Sequence, residues 1–172
     1  MKNILTLTIL FVGILMNAQS DKIHKHNGQI ISGKIIKIEE NTIVFIYDNE
    51  SSEQIIGKYA VEKIIHGSSG REEEISEKIV VRTSEDWEKV VILYEKPYVA
   101  GLKKGEVIKG KISFINFHSE DSGFKKAEKK LKMEAAKKGY PFVLYSEEDI
   151  DYSKINALDK PKIEKKGIMY TY

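Results

Sequence analysis

Between Ile23 and His66 the chain offers only short β-branched and aromatic runs, each ended by a turn signal within a few residues. That rhythm excludes long helices and calls for strands joined by hairpins. Ile23 opens a strand that stops at Asn27-Gly28, a dipeptide suited to a two-residue hairpin turn. Ile30 to Ile38 follows, with Ile36 and Ile38 alternating against Lys37, and Glu40-Asn41 turns the chain again. Thr42 to Tyr47 is the next strand, and Asp48 to Ser52 is a loop. Gln54 to Gly57 and Val61 to His66 supply the last strands, around a short turn at Lys58-Tyr59-Ala60. About five short strands within 19–67 predict a small β-barrel in preference to an open sheet.

The order of residues in "NGQIISGKIIKIEENTIVFIY", followed by "GKYAVEKIIHG", resembles the small SH3-like or Sm-like barrels. Gly28 and Gly33 match the glycines of their first hairpin, and Val61, Ile64 and Ile65 match their closing strand. The resemblance implies the fold. It brings no RNA-binding loop residues onto this chain.

Ser68 to Ser76 ("SSGREEEIS") is rich in glycine, serine and charge and reads as a linker, 68–76, before a second domain at 77–172. There Lys78 to Arg82 and Lys89 to Tyr94 are β-like, with Trp87 between them. Glu106 to Phe117 is strand-like, and Gly110 marks a candidate bulge. Ser119, Asp121 or Ser122 can cap a helix that Gly139 ends. Phe124, Ala127, Leu131 and Ala135 recur at helical spacing as one apolar stripe. The lysines at 125, 126, 129, 130, 132, 137 and 138 fall mostly off it, so they read as a solvated face with favourable Glu128–Lys132 and Glu134–Lys138 pairs. Phe142 to Tyr145 is apolar on both faces, as an internal strand is. Ser146 to Lys162 reads as a loop, and Gly167 to Tyr172 as a closing strand. The fold class is therefore α+β, with one main helix on a β-sheet in the second domain.

In this second domain "GEVIKGK", "LKMEAAKKGYPFVLYSEE" and "KKGIMYTY" are together similar to a small α+β domain of bacterial envelope proteins. That group includes outer-membrane stress-sensor lipoproteins and heavy-metal-binding ring proteins. The resemblance rests on Gly105 and Val107, Leu131 to Ala136, Gly139, Phe142 to Tyr145, and Gly167 to Tyr170. It implies an exported protein and assigns no ligand residue.

Export is also what the N-terminus suggests. Lys2 precedes an apolar run from Ile4 to Met16, and Asn17-Ala18-Gln19-Ser20 follows. This pattern predicts a secretory signal peptide, 1–18, cut after Ala18. The run is 13 residues long, whereas crossing a bilayer takes about 20, so no transmembrane span is expected after signal removal. The chain has no cysteine, which excludes disulfides and thiol chemistry. The formal charge of +2 becomes +1 without the signal segment, which holds Lys2 and no acid, and Arg71 and Arg82 are the only arginines. So small a charge, carried by lysine, gives no reason to expect nucleic acid as a partner.

The one metal-like spacing is His24-x-His26, which on a strand puts both imidazoles on one side, about 7 Å apart. A third ligand would be needed to seat Zn or Cu; His66 and His118 are candidates, and Asp21 is nearer. There is no Gly-x-Ser-x-Gly, His-Glu-x-x-His or Walker motif. Glu72 to Glu74 and Glu147 to Asp149 read as solvated charge runs. The expectation is a non-enzymatic periplasmic or secreted envelope protein without cofactors. It would act by binding another envelope protein or itself, as a homo-oligomer; the alternative is metal or small-ligand binding at His24 and His26.

Overall fold

The computed structural model describes residues 20–113, 120–146 and 162–172, with the side chains of 111–124, 146 and 162–164 left aside. The expected signal peptide, the side chain of Phe124 and most of the loop expected before Lys162 lie outside the described residues. The chain divides into two compact units, with the border between Glu77 and Lys78.

The first unit is one antiparallel sheet of six strands: β1 (Asp21–Lys25), β2 (Ile30–Ile38), β3 (Thr42–Tyr47), β4 (Glu53–Gly57), β5 (Val61–Ile65) and β6 (Glu72–Glu74). Their order is β4-β3-β2-β1-β5-β6. The strands form where the sequence alternates. Ile43 and Phe45 of β3 are buried, whereas Val44 and Ile46 point to the other face. Ile23, Ile56, Val61 and Ile64 complete the core. The Asn27-Gly28 turn forms as expected: Gly28 has φ +86°, and its N–H donates to Lys25 O at 2.9 Å.

The sheet does not close into the expected barrel. Closure would require β4 to reach β5, but β6 already pairs with that side of β5, Lys63 opposite Glu74 and Ile65 opposite Glu72. The segment read as a linker thus supplies a strand. A tight turn at Gly67–Gly70, with Gly70 at φ +68°, brings it back, and His66 N–H donates to Arg71 O at 2.9 Å.

The second unit holds β7 (Val91–Leu93), β8 (Lys103–Ser113), helix α1 (Glu120–Lys137), β9 (Phe142–Ser146) and β10 (Lys162–Thr171). The sheet order is β7-β9-β10-β8, with β7 parallel to β9 and the other pairs antiparallel. Lys78 to Arg82, expected as a strand, makes none; its Val81 instead enters the core, and Ile79 N–H donates to Tyr172 Oη at 2.8 Å. Ser84–Lys89 is a 3-10 turn whose cap is Thr83, with Asp86 closing a capping box.

Helix α1 packs on one sheet face. Leu131, Ala135 and Ala136 meet Val143, Met169, Ile108, Val81 and Val90. Gly139, at φ +77°, ends it with Tyr140 N–H bonded to Ala135 O and Gly139 N–H to Ala136 O, a Schellman motif. Gly110 is not a bulge; the register shift falls at Ile168/Tyr170 of β10. A Cβ on Gly110 would strike the backbone carbonyl of Ala127, so its missing side chain is what lets helix and strand approach. On the far face Phe142, Leu144 and Leu93 are also buried, which accounts for the apolar run of β9.

The lysine-rich face has local partners. Lys129 Nζ lies 4.4 Å from the Trp87 ring centroid, Lys132 approaches Glu128, and Lys138 bonds Glu106 at 2.7 Å. Packing and charge should therefore separate by mutation. Leu131→Ala should cost about 2–5 kcal/mol and Gly110→Val about 1–3 kcal/mol, whereas Lys129→Gln should cost about 1 kcal/mol or less. Denaturant midpoints measure all three. A Lys129→Gln loss equal to that of Leu131→Ala would contradict this packing.

Candidate functional site

The two histidines expected to share a strand face are in different local structures. His24 lies within β1, opposite Ile30 of β2 and Lys63 of β5. His26 falls one residue past the end of β1, where its N–H donates to Ala60 O at 3.1 Å. The ladder between β1 and β5 shifts register at His24/Lys25, so strand alternation no longer relates the two rings.

His26 is tied to the return of the chain after β6. Its Nε2 lies 3.0 Å from Ser76 Oγ, which lies 2.8 Å from Val61 O and 3.1 Å from Lys58 O. The serine has one proton, and the nearer carbonyl takes it. His26 must then donate Nε2–H to the hydroxyl, which keeps that nitrogen from a metal in this arrangement. His24 Nε2 is buried and has no hydrogen-bond partner among the described residues. Both oxygens of Asp21 accept from the backbone: Oδ2 from Ile35 N–H at 3.0 Å and Oδ1 from Gly67 N–H at 2.9 Å. Among the described residues no three His, Cys, Asp or Glu side chains gather as a metal would require.

A second cluster sits on the β5–β6 hairpin. His66 Nε2 lies 2.9 Å from Glu73 Oε2 and 2.9 Å from Arg71 Nη2, while Arg71 Nη2 donates to Glu73 Oε2 at 2.8 Å. One ring nitrogen cannot donate to the carboxylate and accept from the guanidinium together. The always-charged Arg71 and an Nε2–H of His66 sharing the carboxylate is the arrangement that satisfies all three groups. The His66 hydrogen bond, and then that of Arg71, hold the Glu73 carboxyl below its ordinary range. Lys63 bonds Glu72 at 2.9 Å. Of the glutamates expected as a solvated run, Glu72 and Glu74 are exposed as expected, while the half-buried Glu73 fastens the hairpin. Sequence spacing gave no sign of this, because nothing in linear order links His26 to Ser76.

Among the described residues, both sheets end in strands with one side unpaired. The first sheet ends at β4 and β6, the second at β7 and β8. Ile55 on β4 is 50 % exposed and Val107 on β8 60 %. Edges present unpaired backbone groups, and exposed apolar residues on them mark association surfaces. Among the described residues no helix is long and apolar enough to cross a membrane. No protein-family model, curated protein or solved structure matches the chain.

The Glu73 clamp has a pH signature. A carboxyl whose pKa is depressed by folding stabilises the fold above its ordinary value of 4.5, and that contribution is lost as pH falls through the lower folded value. Glu73→Gln should lower stability near neutral pH and flatten the loss on acidification below that value. Denaturant midpoints measured against pH check this. Parallel curves for parent and variant would contradict the clamp.

Proposed function

We propose that the chain is a non-enzymatic exported envelope protein, periplasmic or secreted, that works by binding a protein: another envelope component or a copy of itself. The observation that carries this reading is the pair of sheets open at both ends. Extended partners add to such edges through main-chain hydrogen bonds, with apolar side chains on the edge giving specificity. The polar side chains that could do chemistry in the first unit, Asp21, His26, His66 and Glu73, are engaged in structural bonds. As part of the same proposal, the run β4-β3-β2-β1-β5 keeps a relationship to SH3-like folds in strand order, without closure. The second unit is proposed as a relative of the envelope α+β domain, with its helix on one face of its sheet.

A second reading, metal binding at His24 and His26, is favoured by one observation, the buried and unpartnered Nε2 of His24. It would require His26 to release Ser76.

The test is made in cells. A photo-crosslinking residue placed at Val107 or Ile55 should give discrete protein adducts, in an envelope or extracellular fraction, from a chain that begins at Gln19. A chain retaining Met1 in the cytosol, with no adduct at either position, would contradict the proposal. Zn2+ calorimetry separates the second reading: tight binding that both His24→Ala and His26→Ala abolish would favour the metal site.

A further inference from the structure

We propose that β4 is a dimerisation strand: two copies of the chain join antiparallel, β4 against β4, about a twofold axis through Ile55. The inference rests on the protein-binding reading and names both the edge and the partner.

Backbone phase comes first. Lys58 N–H donates to Asn41 O at 2.9 Å. These residues continue the β3–β4 register, in which Thr42 faces Gly57 and Ile43 faces Ile56. In an antiparallel ladder the hydrogen-bonded pairs recur at every second residue. Ile56 with Ile43 and Gln54 with Phe45 are therefore the bonded pairs within the sheet. Glu53, Ile55 and Gly57 direct their N–H and C=O groups away from β3; Glu53 and Ile55 are exposed there, whereas Gly57 is buried. Among the described residues no strand pairs with that edge.

Self-complementarity comes next. An antiparallel copy centred on Ile55 sets Ile55 opposite Ile55 and Glu53 opposite Gly57. Each facing residue is one of the outward set: the Ile55 pair forms about two backbone hydrogen bonds, and the two Glu53–Gly57 pairs add about four once the buried Gly57 is uncovered. No charge meets a like charge: Glu53 faces glycine, with Lys58 as the next residue along the partner strand. The two isoleucines, 50 % exposed in the single chain, lie side by side on the outer face. Each is flanked by Val44, its neighbour across β3. The interface is isologous, as a closed dimer requires.

The other edges are protected against the same contact. An antiparallel β6 pair would oppose Glu73 to Glu73 and Glu72 to Glu74. The long edge of β8 carries Lys103, Lys104 and Lys109, a common guard on edge strands. In β7, only three residues long, Val91 N–H already bonds Pro141 O, so Ile92 alone faces outward. β4 is the edge whose centre carries no charge and holds an exposed isoleucine.

Sedimentation equilibrium on the mature chain purified from cells tests this. The parent should dimerise. Ile55→Lys, which opposes two cations across the axis, and Ile55→Pro, which removes an outward N–H and no bond to β3, should each raise the dissociation constant about tenfold or more. Ile30→Lys is the control. Ile30 is 55 % exposed but sits on β2, an interior strand, and its replacement should leave dimerisation unchanged. Because the chain has no cysteine, Ile55→Cys also creates a single thiol that a short bismaleimide should bridge between copies, whereas Ile30→Cys should not be bridged. If Ile55→Pro fails to fold, Ile55→Lys and the crosslink decide. A dimer indifferent to Ile55, or bridged equally at position 30, would overturn the β4 assignment and leave the protein-binding reading in place. A parent monomeric at hundreds of micromolar would overturn self-pairing, and adducts with another envelope protein would then still support that reading.

Discussion

The pairing of β6 with β5 is the contact on which the first unit's surface depends. A strand can accept two neighbours. β5 has β1 on one side and β6 on the other, so no place is left for β4. The short β6 would hold poorly by backbone bonds alone. It is fastened beyond its end by Ile75 N–H to Glu62 O and by Ser76, which His26 holds in turn. At its start the Glu73 carboxylate gathers His66 and Arg71. Residues that looked like candidate ligands and loose acids are the clamp that keeps the sheet open.

The second unit solves a different problem. Its sheet carries buried side chains on both faces. On one side helix α1 comes close because Gly110 lacks a side chain where Ala127 crosses it. On the other, Phe142 and Leu144 are buried, and the Tyr172 ring stands edge-on to Phe142 at 5.3 Å. The lysines that dominate the helix stay outside this packing, held by Trp87, Glu128 and Glu106.

Much of this was legible in the residues. Strong local patterns carried through: the hairpin at Asn27-Gly28, the helix with its Gly139 end, and the internal strand at Phe142. The misreadings share one cause. "SSGREEEIS" has the composition of a linker, and its strand exists only because β5 offers an edge and Ser76 finds carbonyls some fifteen residues back. His26 left the strand face because a register shift precedes it. Gly110 looked like a bulge because its reason, a helix crossing overhead, lies in another element. Long-range partners decided each case, and linear spacing does not encode them.

These constraints converge on β4. Among the described residues β4 has no second strand partner, since β6 takes the free side of β5, and no charge stands at its centre. Residue-resolved hydrogen exchange tests that state directly. In dilute protein the amides of Gln54, Ile56 and Lys58, bonded to β3 or to Asn41, should exchange slowly, while those of the exposed Glu53 and Ile55 exchange fast. As concentration rises, the second set should become protected and the first should stay as it was. Protection of Glu53 and Ile55 already in the dilute chain would mean that this edge is covered from within, and would contradict the account.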